Sequence, residues 1–502
     1  MKVIKTGVSS WENRHETFIE QIKDLYELGN EDNLDALEGY NDATKGLQNL
    51  IKEAIDTNTP LRSLGAGWSW TKIATVKDGV MLDTKPLNTR FSVADTAVNP
   101  AYAGNKDQLL FAQSGNGIWE LGAFLKNRGL SLKTSGASNG QTIAGAVSTG
   151  THGSAFDFGA TPDFVVGLHI VLSPDRHIWL ERASAPVVAQ RFVDLLQTEL
   201  VQDDELFNAA LVSFGSFGII HGMLMETEPL FLLETYVQRL PYDTELRGMM
   251  ETLDFSKTNK LPCGSERPFH FSVLLNPYDL DKGAFITTMY KRPYRTNYQP
   301  PVDNAAGIGP GDDAASFIGT ITDAVPALIP IVVTKVLNTS MTTNTEPHFG
   351  TLGEIFSNTT LRGKLLSSAI GFPAELSPKV ADLMLKINKD IGPFSGVFSF
   401  RFVKQTKATL GFTRFEHTCI MELDAPLSDK AYDFYTQVWL MLEHENIPFT
   451  FHWGKANEVT PERIQRMYGD AATRWLNARK TLLNADCQKV FTNQITQQWG
   501  LA

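Results

Sequence analysis

The chain has 502 residues, enough for two or three compact units, and its 42% hydrophobic and 20% charged composition is that of a folded globular protein rather than a disordered or fibrous one. A formal charge of −11 without any Lys/Arg cluster argues against nucleic-acid partners, because affinity for a polyanion comes largely from neutralising its phosphates. Cys263, Cys419 and Cys487 lie far apart with no CxxC spacing and suggest neither a zinc site nor a disulfide framework, so no metal is expected.

The opening MKVIKTGVSSWENRHETF has no apolar signal-peptide core and no twin-arginine pair, and the expected location is cytoplasmic. Phe18, Ile22, Leu25 and Leu28 have the spacing of one helical face, and Leu47, Leu50, Ile51 and Ile55 that of another. The first sixty residues therefore predict packing helices. From 61 to about 229, short β-rich runs (LRSLGAG, GVMLD, LLFAQSGNG, FVVGLHIVL, HIWLE) alternate with glycine-rich turns, as in an α+β domain.

Two glycine clusters in this region carry chemistry. After the strand-like Leu61–Leu64, the run Gly65-Ala66-Gly67-Trp68-Ser69-Trp70 lets backbone N–H groups turn inward as an anion-binding nest. The longer SGASNGQTIAGAVSTGTHGSA, 135–155, holds five glycines among small hydroxyl residues and lets the backbone lie flush against a flat ligand. A Rossmann fingerprint is missing, because Gly115-Asn116-Gly117 is followed by Ile118, Trp119 and Glu120, and there is no GxxxxGK[ST] phosphate loop.

Between about 231 and 450 the apolar segments lengthen, which predicts a second domain containing a loop over 300–315. The run FIGTITDAVPALIPIVVTKVL at 317–337 is broken by Asp323 and two prolines and reads as a core or cap segment rather than a membrane span, with a lipophilic lid as the alternative. VFSFRFVK at 397–404 alternates as a strand, with Phe398, Phe400 and Phe402 on one face and Ser399 and Arg401 on the other. TRFEHTCIME at 413–422 sets Phe415, His417, Cys419 and Met421 on an apolar face and Arg414, Glu416 and Glu422 opposite. In FTFHWGK a straight strand would put Lys455 and His452 on opposite sides, and Thr460-Pro461-Glu462 then starts a helix with an N-cap and proline in its first turn.

In order along the chain, LRSLGAGWS, AGAVSTGTHGS, SFGSFGII (213–220) and HWGK (452–455) resemble the vanillyl-alcohol-oxidase family of PCMH-type FAD enzymes, particularly its alditol and aldonolactone oxidase branch. The resemblance implies a two-domain α+β fold: an FAD-binding domain over 1–230, a mixed-sheet substrate or cap domain over 231–450, and a C-terminal segment, 451–502, returning to the first domain. It implies that FAD is held by Leu64, Gly65, Ala66, Gly67, Trp68 and Ser69 in the first loop, by Gly136, Thr142, Gly145, Thr149, Gly150, Thr151 and His152 in the second, and by Ile219 and Lys455. Many relatives carry, at the position of Trp68, a histidine bonded to the flavin. Indole has no nucleophilic nitrogen for that bond, so non-covalent FAD is expected, with a cap-domain histidine as the alternative tether.

The same resemblance assigns catalytic roles. Arg401 would orient substrate and stabilise a developing oxyanion, His417 would take the hydroxyl proton, and Lys455 would balance negative charge on the reduced flavin. Where relatives have Glu-x-Arg, this chain has Ser399-x-Arg401, which weakens the grip expected on a simple sugar alcohol. Gly136 resembles an oxygen gate, so the expected activity is oxidation of an alcohol-type small molecule by hydride transfer to flavin N5, with O2 as acceptor. The alternatives are oxidative cyclisation or dehydrogenation of an apolar biosynthetic intermediate, or flavin binding without turnover. Neither nucleic acid nor stable membrane insertion is expected.

Overall fold

Three large β-sheets and two two-stranded ribbons organise the computed structural model, which describes residues 1–153, 155–301, 325–357, 359 and 363–502. Ser154, most of the 300–315 loop and residues 317–324 of the apolar run lie outside the described residues.

The first sheet has the order Lys2–Lys5, Asp24–Gly29, Val80–Asp83, Leu61–Leu64, with the last three strands parallel. The helix expected over Phe18 to Leu28 is absent. That stretch forms Ile19–Gln21, paired with Ser10–Glu12, and then Asp24–Gly29. Tyr26 and Leu28 are buried at period two, and neighbouring strands on both sides override the helical spacing. The second expected helix is present as Ala36–Asp56, capped by the Asp35 carboxylate on the Leu37 and Glu38 amides, with Leu47, Leu50 and Ile51 buried. Its apolar face lies in the main hydrophobic core, each buried leucine or isoleucine contributing roughly 1.5–3 kcal/mol.

The second sheet runs Glu199–Gln202, His177–Glu181, Val165–Val171, Ile219–Glu226, Leu109–Gln113, Arg90–Ser92 and mixes one parallel pairing with antiparallel ones. Among the described residues the third takes eight strands from 231 to 451, paired antiparallel. At its centre Val397–Lys404 pairs with His417–Pro426. Phe398 stacks with Phe394 and with Phe434 of the covering helix Asp429–His444, and Phe402 stacks with Phe271. This buries the phenylalanine face and leaves the Ser399–Arg401 face toward the glycine loops.

The described half of the apolar run forms the helix Ile329–Ser340, burying Ile329, Val333 and Leu337 and exposing Ile331. Among the described residues no helix is long and apolar enough to cross a membrane. Near the C-terminus, the predicted helix divides at Gly469, φ +51°, into Pro461–Tyr468 and Asp470–Leu482. These helices return to the first two sheets and their connections through buried polar groups. Arg479 donates to the Ser216 carbonyl, Trp475 to that of Val212, and Arg62 to those of Gly215 and Phe491.

Candidate active site

The 64–70 turn follows Leu61–Leu64 and packs on the second glycine loop so closely that side chains are excluded at the contacts. A Cβ at Gly65 would run into the Thr142 hydroxyl, and one at Gly140 into the Trp68 ring. Gly67 has φ +69°, a conformation in which glycine alone is unstrained. Thr142 caps the short helix Ile143–Ser148 by accepting from the Gly145 amide at 3.3 Å, and Thr149 donates to the Gly145 carbonyl. Around the two loops, Trp68 Nε1, Ser114 Oγ and Gln141 Oε1 are buried without a hydrogen-bond partner among the described residues. Buried polar atoms are normally paired. A backbone cradle edged by spare donors and acceptors fits a ligand with phosphate, ribose and heterocyclic polar groups.

Facing this cradle, Glu422 is the centre of a buried charge cluster. Its carboxylate lies 2.6 Å from Arg401 Nη2, 2.7 Å from Lys455 Nζ and 3.6 Å from His152 Nε2. Burial alone would raise the Glu422 carboxyl, but the charges of Arg401 and Lys455 hold it well below the usual carboxylate range. Ser399 stands directly across the strand pair from Glu422. His452 reaches the same place, its ring 5.7 Å from that of His152, and burial, reinforced by His152 and Lys455, keeps it well below the ordinary histidine value. The Gly454 amide donates to His452 Nδ1.

Residues 42–180 match the family described as FAD binding domain. That segment contains both glycine loops, so the chain carries a PCMH-type FAD-binding domain. The flavoprotein is 28% identical over 245 residues to an L-gulono-1,4-lactone dehydrogenase of Mycobacterium tuberculosis (strain ATCC 25618 / H37Rv), covering 49% of this chain and 46% of that protein. It is 29% identical over 206 residues to a D-arabinono-1,4-lactone oxidase of Debaryomyces hansenii, covering 40% and 33% respectively. The matches therefore span less than half the length of these curated relatives. In three dimensions it superposes on the cholesterol oxidase of B. sterolicum with a TM-score of 0.72 at 13% identity, over 99% of this chain and 97% of that one, a likeness of fold. A vanillyl-alcohol-oxidase-type flavoprotein of Myceliophthora thermophila C1 gives a TM-score of 0.60 over 93% and 78%.

The cofactor of this flavoprotein is FAD. Of the expected site residues, the structure gathers Arg401, Ser399, Lys455 and His152 on one side of the cap sheet, and Leu64, Gly65, Ala66, Gly67, Trp68, Ser69 and Thr142 in the paired loops. It does not gather His417. That residue pairs with Lys404 and so shares the phenylalanine face, its ring 6.1 Å from Phe156, with the sheet between it and Arg401. Ile219 begins the strand Ile219–Glu226 behind the 213–218 turn. Gly136 lies beside Thr151 and the His152 carbonyl at ordinary contact distance.

Sequence reasoning missed Glu422 and His452. Glu422 was legible as a residue on the Arg401 side of its strand; pairing the two strands in register would have set it against Ser399. His452 and Lys455 converge because the strand ends at Phe451 and a turn follows, in which Lys455 N donates to the His452 carbonyl.

Proposed function

We propose that this flavoprotein oxidises an alcohol-type substrate, removing two electrons from its C–H bond, with O2 as the acceptor that completes turnover. FAD, when bound, supplies the hydride acceptor. The observation supporting this reading is the convergence of Arg401, Lys455 and His152 on Glu422 from three separate segments, against the glycine-loop cradle.

Each group has a distinct task in this reading. Arg401, largely buried beside Ser399 with its side chain 17% exposed, binds and orients the substrate oxygen and balances charge that develops on it. Lys455 places a cation against the cofactor site, where reduction creates negative charge. Glu422 lies beneath both and fixes their positions. Proton acceptance is assigned to His152 in place of His417. The Gly153 carbonyl takes the Nδ1 proton at 3.1 Å, which leaves Nε2 as an acceptor, and the Glu422 carboxylate 3.6 Å away stabilises the imidazolium that follows.

The decisive experiment is anaerobic mixing of the yellow protein with polyols, aldonolactones, sterols and aromatic alcohols. Bleaching by one class identifies the substrate chemistry. Bleaching by none of them, in protein that chemical reductants do bleach, would favour a flavin-binding protein without alcohol turnover.

A further inference from the structure

Strand register lays out the neighbours of Arg401 on its own face of the cap sheet. Ser272 of the strand His270–Leu275 stands beside Arg401, Thr287 of Ala284–Pro293 beside Ser272, and Val237 of Phe231–Leu240 beside Thr287. In the next row Leu274 stands beside Ser399. None of these is an edge strand, and their opposite face, with Phe271, Val273, Ile286 and Phe400, is buried. Ser272, Leu274, Thr287, Val237, Ser399 and Arg401 are nevertheless all partly exposed. Among the described residues the hydroxyls of Ser272, Thr287 and Ser399 have no hydrogen-bond partner.

The open strip is closed on three sides. Towards the flavin loops Arg401 stands beside Ile420, which packs with Ala369 and Phe412, and a Cβ at Gly150 of the second loop would lie 3.7 Å from the Phe412 backbone N. At one end His270 is buried beside Phe356, ring centroids 6.3 Å apart. At the other, the Arg239 guanidinium covers the Phe285 ring at 4.6 Å and pairs with Asp279 at 3.0 Å. A substrate whose oxygen meets Arg401 has room to extend across the strands, over Ser272 and Thr287 towards Val237. Neighbouring strands are about 4.8 Å apart, so this path is about 14 Å long, more than a single sugar ring covers. Between Arg401 and Val237 it presents hydroxyls and hydrocarbon and no charge.

We propose that this strip is the specificity-determining floor of the substrate site, and that the substrate is a neutral alcohol with an extended, largely hydrocarbon body carrying a second oxygen within reach of Ser272 or Thr287. An ammonium or carboxylate group on that body would lose hydration and find no counter-ion. A densely hydroxylated chain would leave most of its hydroxyls unpaired against Leu274 and Val237, whereas methylenes gain from burial there. The proposal rests on the reading that the reacting carbinol lies at Arg401.

Linear diols with a hydroxyl at each end serve as rulers. Butanediol, hexanediol, octanediol, decanediol, decanol and sorbitol are mixed anaerobically with the holoprotein. Their dissociation constants are read from the first perturbation of the oxidised flavin spectrum, and any bleaching is recorded next. We expect affinity to rise from butanediol to decanediol by up to about fourfold for each added methylene, and hexanediol to bind more tightly than sorbitol, which has the same chain length. Ser272→Leu fills the path beside Arg401 and should abolish the gain with length. Thr287→Val keeps the shape without the hydroxyl and should lower the preference for decanediol over decanol about fivefold. If Ser272→Leu does not fold, Val237→Trp closes the far end instead and should end the gain before decanediol. No binding, affinity independent of length, or sorbitol bound more tightly than hexanediol would overturn the proposal, as would an unaltered length dependence in the filled variant. Binding with the expected pattern but without bleaching would leave the floor standing and count against alcohol oxidation at Arg401.

Discussion

Ser399 and Glu422 face each other directly across neighbouring antiparallel strands, so the carboxylate absent from the Arg401 strand stands one strand away on the same face. Cross-strand partners have Cβ atoms about 5 Å apart, close enough for the charge to change strands and still meet Arg401. Ser399→Glu combined with Glu422→Ser should therefore retain more of the flavin-reduction rate than Glu422→Ser alone. Stopped-flow reduction by an identified substrate compares them, and equal rates would show that the carboxylate acts only from position 422.

Glu422 also compensates two buried cations. Glu422→Gln preserves shape but leaves Arg401 without its carboxylate and Lys455 with only the exposed Asp424, 4.0 Å away. Breaking a buried ion pair typically costs about 3–5 kcal/mol, and urea unfolding should show a loss of that order. A loss below about 1 kcal/mol would mean that water already screens the cluster.

In the proposed reaction, Arg401→Ala and Lys455→Ala would remove charges that act on the chemical step rather than on cofactor retention. Each should slow substrate-driven flavin reduction by about 10²-fold, as for one preorganised electrostatic donor, with FAD content near that of wild type. Near-normal rates would reassign them to structural support of Glu422.

Trp68 offers no nucleophilic nitrogen, so acid precipitation should leave the flavin in the supernatant. In-gel flavin fluorescence on the denatured chain would contradict this. Trp68→His alone is not expected to form a bond, since linkage also needs geometry and a base.

Oxygen access tests Gly136. A Cβ there would meet Thr151 Cγ2 at 3.4 Å, an ordinary contact, so Gly136→Ala should fold normally. Photoreduced wild-type protein mixed with air-saturated buffer should reoxidise rapidly, and the alanine variant more slowly. Reoxidation of wild type over minutes would identify a dehydrogenase.

The loops, the 397–404 strand and the HWGK segment were legible because each is local: glycine where backbones touch, alternation where one face is buried. What was not legible depended on segments distant in sequence. Glu422 reads as an outer-face carboxylate until the flavin loops cover that face, and His417 reads as the polar member of an inward face that turns out to be the wrong side of the sheet for Arg401. The three-residue strands before Asp24 are too short to carry a period. The coincidence of Ile22, Leu25 and Leu28 with helical spacing was undone by pairing with Lys2–Lys5 and Val80–Asp83.

The hydrogen bonds that tie Arg62 and Arg479 to carbonyls at 215, 216 and 491 carry a consequence for biosynthesis. One of them, from Arg62 to the Phe491 carbonyl, joins the strand leading into the flavin turn to a helix end more than 400 residues later. While the polypeptide is still being translated, that turn lacks its far-end support, and contacts of such long sequence separation form late. Flavin loading is therefore expected only after residue 493, whose side-chain amide donates to the carbonyls of Ile73 and Thr75, has left the ribosome. A nascent chain arrested before that point should emerge colourless even in excess FAD.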